Sequence, residues 1–419
     1  MPAEISHQQA GTPAEMVINL PLSKSICNRA LMLSAWSGGL IHPEMISDAA
    51  DSRLLADLIH SEGRNEYDAR DAGTTFRFLA AWLGISGKIA LLTGTGRMRE
   101  RPVAELVDAL RQLGCRIDYE EKDGFPPLRF RGFQYSGKNE LHMGLKTSSQ
   151  FVSALMMAAP VLPGGLHIHL EKGGGSFPYL ELTAGVMQEC GLEVQFSRDE
   201  IVIPAQPFKE KVLRIEADWS SAAAFYGILA LMPAGSSFVF PGLHLGSLQG
   251  DRVLARIPVF RHILTEKYEN GLRITRVPGE VMPAEVFWDF SDCPDLALAV
   301  IATCAAAGIA GEFVGLSSLQ LKESRRLEAL ASELRKVGVI LNINSDSSGA
   351  SLNPDPMVWQ ESPPEFDCHG DHRIAMALSI LLFSAPGRKA VFRQPDVVEK
   401  SFPHFWEEVC KAGGEMEEI

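Results

Sequence analysis

The sequence predicts an α/β protein of two domains, each assembled from three similar units. Three observations lead there. The chain has 419 residues, too many for one ordinary core. A helical stretch that ends in glycine and runs on into a short β-branched or alternating segment recurs along it. Several helical stretches are also apolar nearly all round, which suits a buried helix and not a surface one.

Taken in order, the copies are LLADLIHSEG ending at Gly63, LVDALRQLGCRIDY around Gly114 and LTAGVMQECGLEVQF around Gly191. FRHILTEKYENGLRITR around Gly271 follows as a degenerate copy, then LEALASELRKVGVILNI around Gly338 and FWEEVCKAGGEM around Gly413. Glycine just past a helix supplies the left-handed residue that closes it. The successive intervals are 51, 77, 80, 67 and 75 residues, too long for a solenoid repeat and suited to six α/β units taken as three plus three. Helix alternating with strand argues the α/β class. Stretches 151–159 (FVSALMMAA) and 296–307 (LALAVIATCAAA) are the apolar helices. Helices inside and sheets outside would explain them; a conventional sandwich with a few buried helices is the alternative that periodicity leaves open. No Gly/Ser-rich linker marks a boundary, so short crossovers between domains are expected.

Composition narrows the function. Apolar residues at 46% and charged residues at 22% exclude disordered and fibrous classes. With 39 basic against 52 acidic side chains the formal charge is −13, which argues against nucleic acid or an anionic membrane as partner. Seven scattered cysteines without C-x-x-C point to reduced thiols, and the first residues carry no apolar signal region, so a cytoplasmic location is expected. The weakly polar run 296–310 is too short for a membrane span.

Against that acidic background, cations gather where loops run into helices. LPLSKSICNRALMLSA sets Lys24, Ser25 and Arg29 around a helix start. A cap explains the serine, but a cation beside free N–H groups suits a shared anion. DAGTTFRFLAAWL places Gly73 before a helical run, where a ligand can approach the backbone or a cap can form. GTGRMRERP spaces Arg97, Arg99 and Arg101 at alternate positions, on one side of an extended chain. KTSSQFVSALMMAAP offers a capping box from Thr147 to Gln150, with Ser148 and Ser149 as surplus hydroxyls. LQLKESRRLEALASEL puts Lys322 and Arg326 four apart on one expected helix face, with Glu323 between them as charge balance or proton carrier. DCHGDHRIAMALSILL opens a helix with Asp371, His372 and Arg373, and its Cys368, His369, Asp371 and His372 match no standard zinc spacing. Lys400 stands just ahead of the helix in VEKSFPHFWEEV. Such junction residues can converge on one multiply anionic ligand.

These segments, together with SSQFVSALM, DWSSAAAF and PDLALAVIATCAA, occur in an order that resembles the enolpyruvyl transferases acting on shikimate 3-phosphate, over about residues 17–410. The resemblance implies a two-domain inside-out α/β barrel, each domain three βαβαββ units with buried helices. It implies a continuous domain, 20–216, a discontinuous one, 1–19 plus 217–419, and an active site in the cleft between them. It implies transfer of the enolpyruvyl group of phosphoenolpyruvate to the 5-hydroxyl of shikimate 3-phosphate, without metal or organic cofactor, by a monomer. By motif, Lys24, Ser25, Arg29, Ser148, Ser149, Gln150, Ser176, Asp295 and Lys322 resemble the shikimate 3-phosphate contacts, with Tyr179 alongside. Lys24, Gly73, Arg101, Gln150, Arg326, Arg373 and Lys400 resemble the phosphoenolpyruvate contacts. Asp295, Glu323 and Lys24 resemble the proton-handling groups. The chain departs from the usual pattern at Leu22, Asp71, Phe78, Phe177 and Ser318. The sister transferase acting on UDP-N-acetylglucosamine differs in carrying Lys-Asn where this chain has Lys24-Ser25, and a cysteine in the loop that here is 93–102 and has none; Cys115 lies beyond it. A non-catalytic anion-binding protein of the same fold is the other alternative, and the intact set Asp295, Lys322 and Glu323 argues against it.

Overall fold

Each sheet opens with one parallel strand pair, which requires a crossover, and the longer sheets continue antiparallel. This is seen in a computed structural model that describes residues 2–7, 15–61, 63–144, 148–171 and 176–418. The chain divides into two compact units, Ser23–Ile215 and Met1–Leu22 with Glu216–Ile419.

In the Ser23–Ile215 unit, strand Glu66–Asp68, helix Gly73–Ile85, strand Ile89–Thr93, helix Ala104–Leu113 and strands Cys115–Tyr119 and Leu128–Phe133 make one βαβαββ module. The first two strands pair parallel and the others add antiparallel. The same order recurs from strand Glu140–Met143 through helices Ser149–Ala158 and Phe177–Glu189 to strand Glu200–Ile203. The third module is reduced to helices Lys24–Ser37 and Ala50–His60 with the parallel pair Ile41–Pro43 and Lys211–Leu213. Helices Lys24–Ser37, Gly73–Ile85 and Ser149–Ala158 pack together inside.

The other unit repeats the plan. One module runs from strand Glu285–Asp289 to strand Gly349–Leu352. A second runs from strand Glu365–Asp367 to strand Gly414–Glu418 and is completed by the N-terminal strand Ala3–His7, between Lys389–Arg393 and Gly414–Glu418. The third combines strand Glu15–Val17 with helix Trp219–Leu231 and strands Ser237–Pro241, Ile263–Tyr268 and Gly271–Arg276. Helices Trp219–Leu231, Ala297–Ala307 and His372–Leu381 bundle in the core. They meet so closely that a Cβ on Gly227 would lie 2.6 Å from Thr303 Oγ1 and 2.7 Å from Ile380 Cδ1. That is why their sequences are apolar on every side: sheets, not water, face their outer surfaces.

One expected helix is absent. FRHILTEKYENG is not helical; Ile263–Tyr268 is a strand that turns through Glu269, at φ 45°, into Gly271–Arg276. Short 3-10 segments at Gly250–Arg256 and Pro258–Phe260 stand where the module's second helix would be. Gly271 serves the sheet instead of capping a helix, since a Cβ there would lie 2.0 Å from the carbonyl oxygen of Phe240 on the neighbouring strand.

Candidate functional site

In the Ser23–Ile215 unit most of the predicted residues, Arg29 and Arg101 excepted, sit at the N-terminal ends of buried helices. Ser23 caps helix Lys24–Ser37, its Oγ accepting from the Ile26 N–H at 3.5 Å. Lys24 opens that helix, and its Nζ lies 3.0 Å from Asp51 Oδ2. Asp51 stands in the first turn of helix Ala50–His60, where the helix dipole favours an acid. Ser148 caps helix Ser149–Ala158, accepting from the Gln150 N–H at 3.3 Å. The expected cap Thr147 lies outside the described residues. Gln150 turns its side chain away from the cap: Nε2 donates to Thr74 Oγ1 at 2.9 Å, and Oε1 accepts from Arg77 Nη1 at 2.8 Å. It thereby ties the start of one buried helix to the start of another. Ser176, at the start of helix Phe177–Glu189, has φ 70°, a left-handed conformation uncommon outside glycine.

Gly73 is the focus of this group. A Cβ at Gly73 would lie 2.3 Å from Arg101 Nη1 and 2.5 Å from Arg77 Nη1, so only glycine lets both guanidinium groups reach the backbone there. Arg101 is 6% exposed, and its Nε and Nη1 have no hydrogen-bond partner among the described residues. A buried cation with orphaned donors costs several kcal/mol unless an anion joins it. The alternate arginines do not share a face as expected. Residues Gly96–Glu100 form a 3-10 turn, which fans the side chains apart. Arg97 pairs with Glu100 at 2.6 Å and Arg99 with Glu121 at 2.9 Å, both outward, and Arg101 alone turns in.

Arg29 is more structural than its motif suggests. Its Nε donates to Thr183 Oγ1 at 2.7 Å, Nη1 to the Ser25 carbonyl at 2.8 Å, and Nη2 to the Tyr179 carbonyl at 3.1 Å and Ser153 Oγ at 3.3 Å. Burial lowers its pKa to about 10, which leaves it cationic at neutral pH. Its place is to fasten helices Lys24–Ser37, Ser149–Ala158 and Phe177–Glu189 to one another. Asp71 is exposed, so water screens the charge it brings near Gly73.

The other unit holds a denser cluster around Arg326, which is 2% exposed. Its Nη1 donates to Asp295 Oδ1 at 2.8 Å, its Nη2 to Glu323 Oε2 at 2.9 Å, and its Nε and Nη2 grip Asp371 at 2.8 and 3.2 Å. Lys322 Nζ reaches the same Asp295 oxygen at 3.1 Å, and Lys400 Nζ stands 3.8 Å from Glu323 Oε1. Lys322 and Arg326 are not helix neighbours: residues Ser317–Leu321 form a 3-10 turn and the helix starts only at Arg326. Shared carboxylates bring the two cations together, not an i,i+4 face. Asp371 caps helix His372–Leu381 through the Arg373 N–H at 3.0 Å. Arg373 Nη1 donates to the Ser220 carbonyl at 2.8 Å, and the Ser220 hydroxyl donates to Asp251.

Electrostatics divide the carboxylates. Burial pushes the Asp295 carboxyl up, but Lys322, Arg326 and Arg373 outweigh it and hold it well below the usual range. Burial likewise disfavours the Arg326 charge, and Asp371, Glu323 and Asp295 overcome that to make it a firmer cation. Asp251 goes the other way: burial, helped by the Asp295 charge, pushes it up to about 7 against Ser220 and Arg373. Burial also raises the Cys115 thiol to about 12, so it is no nucleophile at neutral pH. Arg77, Asp51 and Asp251 were not anticipated. Arg77 carried a signal, a lone arginine inside the apolar run GTTFRFLAAWL; the two acids carried none.

The chain matches the model of one protein family, described as EPSP synthase (3-phosphoshikimate 1-carboxyvinyltransferase), over residues 56–409. It is 37% identical over 406 residues to a 3-phosphoshikimate 1-carboxyvinyltransferase of Bacteroides fragilis, covering 96% of this chain and 97% of that one. It is 32% identical over 425 residues to the protein of that name from Shewanella baltica, with 95% and 96% covered. Its fold is similar to that of a solved EPSP synthase from Acinetobacter baumannii, with a TM-score of 0.72 at 19% identity over 99% of this chain and all of that one. The enolpyruvyl transferase NikO from Streptomyces tendae is similar too, with a TM-score of 0.71 at 13% identity over 99% and 98% of the two chains.

Proposed function

Since the chain belongs to the EPSP synthase family and transfers the enolpyruvyl group of phosphoenolpyruvate to the 5-hydroxyl of shikimate 3-phosphate, releasing phosphate, we propose that the two polar clusters serve one substrate pair. Lys24, Ser25, Ser148, Ser149, Gln150 and Ser176 take the shikimate 3-phosphate, with Asp295 and Lys322 holding its ring hydroxyls. Gly73, Arg101, Gln150, Arg326, Arg373, Lys400 and Lys24 take phosphoenolpyruvate. Arg29 completes the shikimate-phosphate set through Ser25, whose carbonyl it holds. The active site lies in the cleft between the domains in this reading. The observation that carries it is Arg101: a buried guanidinium with unused donors, set over Gly73, is a socket for an anion.

The chemistry follows from the charges. The 5-hydroxyl oxygen attacks C2 of phosphoenolpyruvate while C3 gains a proton, giving a tetrahedral intermediate. C3 then loses a proton as the C2–O bond to phosphate breaks. Arginines hold the carboxylate and phosphate bidentately, and fixed cations stabilise the anionic intermediate. Glu323, between Arg326 and Lys400, exchanges the C3 proton. Asp295 or Lys24 accepts the hydroxyl proton. A carboxylate held as low as Asp295 is a weak base, and two anionic substrates entering among Lys322, Arg326 and Arg373 would raise it. No step calls for a metal or an organic cofactor.

The test is phosphate release. Release is expected only when shikimate 3-phosphate and phosphoenolpyruvate are both present. Release with UDP-N-acetylglucosamine in place of shikimate 3-phosphate, or none with either acceptor, would overturn the reading.

A further inference from the structure

One polar cluster plays no part in this chemistry. It lies on the outward face of the sheet Glu140–Met143, Leu166–Leu170, Glu200–Ile203 and Gln195–Phe196. In the strand LHIHL the residues alternate: Leu166, Ile168 and Leu170 are buried, while His167 and His169 face out side by side. Glu200 is the direct partner of His169 across the antiparallel ladder, and His142 is its partner on the parallel side. His167 Nε2 lies 2.8 Å from Glu200 Oε2. The His167 and His169 ring centroids are 4.0 Å apart, and His142 stacks on His169 at 4.7 Å with 19° between the planes.

We propose that His167, His169 and Glu200 form a site for a divalent transition-metal ion of the zinc class. One ligand atom from each lies within 4.8 Å of the other two. Ligands around a tetrahedral zinc stand roughly 3.4 Å apart, given bonds of about 2.0–2.2 Å. Small rotations of exposed side chains close that difference, while the paired strands fix where the three side chains start. Two imidazoles and one carboxylate suit zinc or copper and not the oxygen-loving magnesium or calcium. Three protein ligands leave a position for water. His142, stacked on His169, limits how that ring can turn and so acts as a positioning residue. The proposal is independent of the transfer reaction and departs from the sequence-based expectation of no metal. Cys368, His369, Asp371 and His372 are one cluster visible in the sequence, whereas this site needs strand register to bring residues 167 and 200 together.

Untagged protein, stripped with a chelator, would be titrated calorimetrically with Zn2+ and in parallel with Mg2+. One Zn2+ per chain and no Mg2+ are expected. Losing a ligand should weaken zinc binding at least about 10-fold in His169→Ala and in Glu200→Gln, whereas His42→Ala on another sheet should bind like wild type. Zinc should also raise the melting temperature of wild type but not of the His167→Ala/His169→Ala double variant. The zinc-free melting temperatures of the two should agree, because the side chains point outward. Wild-type zinc affinity in the double variant, or no stoichiometric binding by wild type, would overturn the assignment.

Discussion

Arg326 meets three carboxylates with three nitrogens, and this arrangement separates the roles of its neighbours. Asp371 is fully buried and held by both the guanidinium and a helix N-terminus, so its work is to orient Arg326. Glu323 is held on one oxygen by Arg326 and has Lys400 near the other, a place from which a carboxyl can pass a proton. Glu323→Gln keeps the shape and removes the carboxyl proposed to carry the proton. Its kcat should fall at least about 10²-fold with little change in either KM, and deuterium should enter the phosphoenolpyruvate methylene more slowly. Normal turnover and normal exchange would move the proton to another group, Lys24 first. Asp251 gives a pH prediction. Its native pKa, pushed up to about 7, exceeds the ordinary value near 4. Between those values the native state keeps a proton that the unfolded chain has released, so this residue lowers stability as pH rises from about 4 to 7. Asp251→Asn should therefore be more stable than wild type by most at pH 8, by order of a few kcal/mol, and converge with it only towards pH 4. Parallel profiles would show that Asp251 is ionised throughout. Residue types were legible in the motifs, but partners were not. Nothing local in SKSICNRA says that Arg29 spends its donors on Thr183, Ser153 and the Tyr179 carbonyl, residues 124 to 154 positions away.

At the scale of elements, every site residue but a few stands where a loop delivers the chain to a helix. Helix starts expose free N–H groups, and within each unit the buried helices pack together. This much was legible: the apolar helices, the glycine closures and the caps all leave local marks. Two departures came from short 3-10 turns. They separated Arg101 from Arg97 and Arg99, and they placed Lys322 and Glu323 ahead of their helix. Such turns have no apolar period of their own, so a helix or a strand reading fits them equally well. The third departure, at Gly271, reflects the two uses of glycine, which sequence alone does not distinguish: closing a helix, or admitting a neighbouring backbone. Gly227 tests the helix bundle. Gly227→Ala forces a methyl against Thr303 and Ile380 and should cost about 1–3 kcal/mol by denaturant midpoint, leaving KM values intact. A neutral or stabilising result would mean the bundle is looser there.

For the whole molecule, the six modules were visible as spaced glycines, yet their completion was not. The strand Ala3–His7 finishes a module begun at Glu365, and Glu15–Val17 opens one resumed at Trp219. Sequence spacing carries no trace of such long-range pairing, although it makes the second unit discontinuous. Side chains from both units are proposed to act on one substrate pair, and two arginines test this together. Arg101 belongs to Ser23–Ile215 and Arg373 to the other unit. Phosphoenolpyruvate kinetics of Arg101→Met and Arg373→Met, measured beside ligand-free melting curves, give the most direct answer. Each variant should lose about 10- to 150-fold in kcat/KM for phosphoenolpyruvate, with KM for shikimate 3-phosphate nearly unchanged. Arg101→Met should melt no lower than wild type, because it removes a buried guanidinium whose Nε and Nη1 have no hydrogen-bond partner among the described residues. A kinetic loss in only one of the two variants, or lower melting temperatures with unaltered kinetics, would contradict the account.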